Sequence, residues 1–289
     1  MNGQMPTALL FPGQGAPANL WSEAVADHRP DLLRQAREAL GGADPFEHFG
    51  EGTEYDQPAI YCACLAAFEI AGQPRAEYFA GHSLGEITAL ACAGALDDGE
   101  GLGLVVERGR QMAAAGRSAG SGTMLAVRAP VAEIEDVAAS QGVAIANVNS
   151  PAQTVLSGER EALERAATEL SKRKLLTKML PVTGAFHSPQ MLPAAEGLER
   201  ALSAIDFRRP VAPVLSARTG LPFEDVHAEL AASLTEPVRW IEVVASLERS
   251  GVERYLEVGP GKALTGLVRR CAQGEVVLET TPLPEAANA

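Results

Sequence analysis

Ala76-Glu77-Tyr78-Phe79-Ala80-Gly81-His82-Ser83-Leu84-Gly85-Glu86 is the stretch on which the fold turns. Residues Ala76–Ala80 read as a short buried strand, and Glu86–Ala93 as a helix with Gly94 near its C-cap. Between them Gly81-His82-Ser83-Leu84-Gly85 fits the pattern G-x-S-x-G. A strand, a sharp turn carrying a serine, and a helix together form the context of a nucleophile elbow. Small residues on either side of the serine tolerate the bend. The bend exposes the Ser83 oxygen, and the following helix aims free N–H groups and its positive end at charge developing nearby.

Working outward, Thr7–Phe11 is an apolar strand that runs into the tight loop Pro12-Gly13-Gln14-Gly15. Gln57–Ile70 reads as an apolar helix with Pro58 in its first turn, and Asp97–Ala115 as another helix. From about residue 120 the pattern changes. Thr123–Val127, Val131–Ser140, Val143–Asn147, Thr154–Ser157, Glu159–Arg173 and Thr177–Val182 follow as strand, helix, strand, strand, helix, strand. That β-α-β-β-α-β order is the ferredoxin-like unit. It sits as an insert of residues 120–189 in an α/β body of residues 1–119 and 190–289. The body resumes with the helix Ala194–Ala204, the strand Val211–Ser216, the amphipathic stretch Val226–Leu247, the strand Arg254–Val258 and the helix Ala263–Cys271. The tail from Thr281 is expected to be loose.

The chain has 289 residues, enough for about two domains. Hydrophobic residues make up 46% and charged residues 21%, which excludes wholesale disorder. Lys plus Arg is 24 and Asp plus Glu is 37, a net charge of −13. That balance argues against bulk binding of nucleic acid or of an anionic membrane. Cys62, Cys64, Cys92 and Cys271 show no metal or disulfide spacing, which fits a reducing cytoplasm. The first residues have neither a basic segment nor a long apolar run, so no leader is expected, and no run of 18 apolar residues crosses a bilayer.

A serine nucleophile needs a base. Of the five histidines, His28 and His48 lie in polar segments and His227 in a charged one. His82 adjoins the serine, but neighbours on a turn point in different directions. His187, in the loop Gly184-Ala185-Phe186-His187-Ser188-Pro189, is the candidate base. No acid stands out as a third member, and a backbone carbonyl is the alternative means of orienting the imidazole. The N–H groups of the Phe11–Gly15 segment and of Leu84 are candidate oxyanion donors. Gly259-Pro260-Gly261-Lys262 lacks the glycine spacing and the Ser/Thr of a phosphate loop.

Taken together, these segments resemble the malonyl-CoA:acyl carrier protein transacylases and the acyltransferase domains of polyketide synthases. The matching pieces are FPGQG at Phe11–Gly15, GHSLGE at Gly81–Glu86, ERG at Glu107–Gly109, NVNSPAQTVLSG at Asn147–Gly158, AFHS at Ala185–Ser188, EPVRW at Glu236–Trp240 and EVGPGKALTGL at Glu257–Leu267. The resemblance implies an α/β fold with a hydrolase-like large subdomain built on a parallel sheet, plus the inserted ferredoxin-like small subdomain. It implies ping-pong transfer from coenzyme A through an acyl-serine to the phosphopantetheine thiol of an acyl carrier protein, in fatty acid or trans-acting polyketide biosynthesis. Ser83 would be the nucleophile and His187 the base. Backbone N–H groups of Gln14 and Leu84 would form the oxyanion hole. The carbonyl that orients the histidine maps near Arg239. Arg108 would clamp the free carboxylate of malonyl, and Phe186 resembles the malonyl-type residue at its position. No bound cofactor or metal is implied. The substrates are a coenzyme A thioester and a carrier protein, and a cytoplasmic monomer is expected.

Three other readings remain open. The same Ser83 and His187 would serve a hydrolase that clears stalled carrier proteins, or transfer between two carrier proteins; a non-catalytic carrier-binding subunit would need neither. Arg108 favours malonyl transfer, since neutral acyl chains have no use for a buried cation. Docking of an acidic carrier needs local positive charge, for which Lys172, Arg173 and Lys174, or Lys262, Arg269 and Arg270, are candidates.

Overall fold

The computed structural model describes residues 5–118, 120 and 122–283. Met1–Gln4, the subdomain boundary at residue 119 and the tail beyond Leu283 lie outside the described residues. In chain order the elements are β1 (Thr7–Phe11), α1 (Ser22–His28), α2 (Pro30–Ala39), α3 (Thr53–Ile70), β2 (Tyr78–Gly81), α4 (Gly85–Cys92) and α5 (Asp98–Ser118). Then come β3 (Gly122–Val127), α6 (Glu135–Gln141), β4 (Ala144–Ser150), β5 (Gln153–Glu159), α7 (Arg160–Lys172) and β6 (Thr177–Met179). The chain continues with α8 (Leu192–Leu202), β7 (Val214–Leu215), α9 (Val226–Ala232), α10 (Trp240–Arg249), β8 (Arg254–Glu257), α11 (Ala263–Cys271) and β9 (Val277–Thr280).

Five strands form a parallel sheet in the order β7-β2-β1-β8-β9. After Thr7 the run TALLF is apolar because both faces of β1 are covered. Leu9 and Phe11 face the main core, with helices such as α3 and α5, while Ala8 and Leu10 face a second core with α10 and α11. The C-terminal ends of β1, β2 and β8 lie side by side, with Phe11 opposite Gly81 and Leu10 opposite Glu257. Their loops therefore meet at one edge, where ligands bind in open α/β sheets.

The other four strands form an antiparallel sheet in the order β4-β5-β3-β6, the ferredoxin-like arrangement expected from the sequence. Along β3, Leu125 and Val127 pack on α6 and α7, whereas Met124 and Ala126 turn toward the main core. The period of two thus splits one strand between two cores. A bridge from β4 to Val238 (Val238 N to Ala146 O 2.9 Å, Val148 N to Val238 O 2.8 Å) ties this sheet to the body.

The structure shifts several expectations. α3 begins at Thr53 rather than Gln57, so Pro58 lies inside it. The amphipathic stretch Val226–Leu247 is two helices, since Pro237 interrupts it. α1, α2 and β9 were not expected. β9 is a four-residue edge strand with no fully buried residue, and the apolar run Val276-Val277-Leu278 at its start is short.

Candidate active site

The elbow forms because backbone meets backbone where only glycine fits. A Cβ on Gly81 would lie 1.9 Å from the Gly85 carbonyl carbon, and one on Gly85 would lie 2.0 Å from Phe11 O. A Cβ on Gly13 would lie 2.4 Å from His82 O, which shows how closely the Phe11–Gly15 loop packs on the turn. Ser83 takes φ +57°, a left-handed conformation that non-glycine residues adopt at a cost. The Leu84 and Gln14 backbone N–H groups donate to nothing among the described residues, and both belong to these two apposed loops.

His187 lies in the segment that leaves the antiparallel sheet. It too has a positive φ, +57°, and the turn is held by Ser188 Oγ, which donates to Ala185 O at 2.6 Å. Ser83 Oγ is 2.9 Å from His187 Nε2, and His187 Nδ1 is 2.7 Å from Ser233 O. Nδ1–H therefore donates to the carbonyl, and Nε2 is left to accept from the serine. Burial, and then the Arg108 charge, push the imidazole down to about 3, so it is neutral at rest, with Nε2 free to accept.

The orienting carbonyl is that of Ser233, which corrects the expectation of Arg239. Ser233 caps the C-terminus of α9, so its carbonyl lies at the negative end of the helix. Arg239 is held elsewhere. Its neighbour Val238 pairs with β4, its own N–H donates to Ala217 O at 2.7 Å, and its half-exposed side chain reaches Glu242 at 3.3 Å.

Arg108 is 3% exposed at the middle of α5. Nη2 donates to Ser83 Oγ at 2.9 Å and Nη1 to Gln57 Oε1 at 2.7 Å. It makes no ion pair among the described residues; burial lowers its pKa to about 10, opposed only by the field of Glu86. Gly109 explains the ERG segment, since a Cβ there would lie 2.9 Å from Thr53 O and hold α5 off α3. Phe186 is buried beside His187, with its ring against Gly184.

His82 points away from the serine. Its Nε2 is 2.9 Å from Asn149 Oδ1, its ring lies against Trp240, and burial lowers its pKa. Glu86, 1% exposed, accepts from Ala217 N at 2.7 Å, and burial pushes it up to about 8. The Gly259–Lys262 segment holds no free anion site, because the buried Glu257 carboxylate already accepts from Leu264 N and Thr265 N at the start of α11. Sequence reasoning missed Thr53, Gln57 and Ser233. The first two stand in the polar segment Thr53-Glu54-Tyr55-Asp56-Gln57, where nothing sets them apart from their neighbours.

Comparison with known proteins adds four findings. The profile of the acyl transferase domain family matches residues 33–281. The chain is 37% identical, over 91% of its length, to the "Polyketide biosynthesis protein ThaF" of Burkholderia thailandensis, of which it spans 24%. It is 36% identical to the "Polyketide biosynthesis malonyl CoA-acyl carrier protein transacylase BaeC" of Bacillus velezensis, covering 90% of this chain and 95% of that one. Among solved structures, a malonyl-CoA:acyl carrier protein transacylase from Xanthomonas oryzae superposes with a TM-score of 0.87 at 32% identity, over 97% of this chain and 96% of that one.

Proposed function

The chain belongs to the acyl transferase domain family, and from that premise we propose that it moves a malonyl group from coenzyme A to the phosphopantetheine thiol of an acyl carrier protein. It is an acyltransferase, and the route is ping-pong. Ser83 Oγ attacks the thioester carbonyl while His187 Nε2 takes its proton. The oxyanion is received by the N–H groups of Gln14 and Leu84. The imidazolium, steadied by Ser233 O, returns the proton to the departing coenzyme A thiolate. The carrier thiol then gives its proton to His187, attacks the malonyl-serine, and Ser83 leaves with that proton restored.

The observation that carries this reading is the buried guanidinium of Arg108, which touches Ser83 Oγ and has no carboxylate partner among the described residues. A dry, unpaired cation beside the nucleophile favours an acyl group that brings its own carboxylate, held by a bidentate pair. Hydrolysis of neutral acyl chains would leave that cation unused. Phe186 is assigned to the acyl-binding wall beside His187.

The same proposal takes residues 120–189 as the small subdomain within a large one of 1–119 and 190–289, a division supported by the two separate sheets. It also takes the chain as a cytoplasmic monomer without nucleic-acid or membrane partners and without a bound cofactor, serving fatty acid or trans-acting polyketide synthesis. No helix of the described residues is long and apolar enough to cross a membrane.

The test is intact-protein mass spectrometry after mixing with malonyl-CoA, acetyl-CoA and longer acyl-CoAs. A malonyl adduct that disappears when carrier protein is added, with the mass moving to the carrier, is expected. Adducts that release free acid without reaching the carrier would move the assignment to a hydrolase.

A further inference from the structure

Arg108 is held by an amide, not by a carboxylate. Gln57 Oε1 accepts from Arg108 Nη1, and Gln57 is itself fully buried. Its Nε2 donates to Thr53 Oγ1 at 2.7 Å, and Thr53 Oγ1 donates to Gln14 Oε1 at 3.0 Å. Gln14 Nε2 reaches Asp56 Oδ2 at 3.4 Å. A second arm runs from Arg108 Nη2 to Ser83 Oγ, on to His187 Nε2, and from His187 Nδ1 to Ser233 O. Arg108 is the only member that donates at both ends, because a guanidinium has donors alone. That fixes the polarity of every bond in both arms.

Resting on the reading of Arg108 as a carboxylate clamp, we infer that Gln57, tethered by Thr53, is a positioning residue that sets acyl preference by fixing the guanidinium without neutralising it. Thr53 and Gln57 stand four residues apart in α3, so they share the face that meets α5. A carboxylate at residue 57 would fix the guanidinium equally well. It would also satisfy the cation, and a malonyl carboxylate would then enter a site already neutral. An apolar residue would leave the charge free but one Nη without its acceptor, so the fork would lose its orientation. Gln57 does neither, which leaves an oriented fork with its charge unspent. Through Thr53 the same tether holds the Gln14 side chain, so the clamp and the oxyanion loop share one brace.

The experiment measures kcat and KM for malonyl-CoA and acetyl-CoA, with carrier protein as acceptor, in wild type, Gln57→Glu, Gln57→Leu and Arg108→Ala, and in the double variant Gln57→Leu/Arg108→Ala. Gln57→Glu keeps the shape of the side chain and is the deciding variant. Its malonyl kcat/KM is expected to fall about 100-fold more than its acetyl kcat/KM, chiefly through KM. Gln57→Leu is expected to narrow the malonyl preference about 10-fold, and to add nothing to Arg108→Ala in the double variant. Equal losses for both thioesters in Gln57→Glu would make Gln57 merely structural and overturn the inference, as would additive effects in the double variant. A wild type without malonyl preference would remove the clamp and the tether together, whereas a preference that survives Gln57→Glu would remove the tether alone.

Discussion

All five residues of β1 in the parallel sheet are buried, whereas in β4 of the antiparallel sheet Ala144, Ile145 and Val148 keep partial exposure. The contrast extends to close contacts at the elbow of the body and at Gly158 of the insert. In the body, glycine lets backbone touch backbone: Gly13, Gly81 and Gly85 sit where a methyl group would strike a main-chain atom. In the insert, Gly158 faces the side chain of Val143, where a Cβ would stand 3.0 Å from Cγ1. The body therefore sets the positions of Ser83, Arg108 and the oxyanion loop through rigid main chain. The insert contributes through side chains, such as Asn149 on His82, and through the segment that presents His187 as it leaves the sheet. Geometry that chemistry depends on is built where the neighbours are least able to move.

The largest expected effect tests the body's share of the chemistry. Ser83→Ala should lower transfer by about 10⁶, since losing the serine of such a unit removes covalent catalysis. Intact mass measurement should find no acyl adduct, with thermal unfolding close to wild type. An adduct that persists in the variant would place the nucleophile elsewhere.

A paired comparison probes backbone against side-chain packing. Gly81→Ala should fail to give a cooperatively folded protein, because neither Gly85 nor the Glu86 backbone can retreat without unmaking the elbow. Gly158→Ala should fold and lose about 1–3 kcal/mol in urea unfolding, because Val143 can shift. Similar stabilities for the two variants would erase the distinction.

Acidity offers a test at the junction of the two regions. His187 is pushed down to about 3 when folded, from an ordinary value of 6.5. The unfolded chain binds the extra proton first, so this contribution to stability is complete above pH 6.5 and is lost as pH falls toward 3. Glu86 is pushed up to about 8 from 4.5, so its contribution is complete below pH 4.5 and is lost as pH rises to 8. Urea titrations should show stability falling between pH 6.5 and 8, and Glu86→Gln should flatten that limb. The acid limb of kcat/KM should lie below pH 6.5, and Arg108→Ala should move it upward for acetyl-CoA. An acid limb at 6.5 that ignores Arg108 would contradict the assigned base.

The smallest effect separates the two candidate carrier surfaces. In the insert, Lys172 pairs with Glu169 and Arg173 with Asp136, both at 2.6 Å, so much of that charge is already engaged. Lys262, Arg269 and Arg270 of the body are exposed and make no ion pair among the described residues. Charge reversal at the body cluster should slow transfer to carrier protein by about 3- to 10-fold at low salt and spare acylation from coenzyme A. A larger effect from reversing the insert cluster would shift the docking surface there.

Local pattern was enough for much of this molecule. TALLF, the glycines around Ser83, and the six-element run from Thr123 are legible because each obeys a short-range rule of period or turn. Ser83 and His187 were found from the loops that carry them, and Arg108 stood out only through the family resemblance. By contrast, α2, whose buried Leu32, Leu33 and Ala36 stand among charged residues, and the short, partly exposed edge strand β9 escaped notice. Thr53 and Gln57 looked like ordinary polar residues at a helix start, since their partner Arg108 lies 51 residues from Gln57 along the chain.

Arg239 and Ser233 mark the boundary most clearly. From the residues alone, a backbone carbonyl was one way to orient a histidine without an acidic partner, and only the family resemblance placed that carbonyl near Arg239. Which carbonyl it is depends on Val238 pairing with β4, on Arg239 N–H turning to Ala217 O, and on α9 ending at Ser233. Those contacts bring β4 of the insert together with Ala217 and the end of α9 in the body. A carbonyl's direction is set by its peptide plane, and that plane is fixed only once all three are packed.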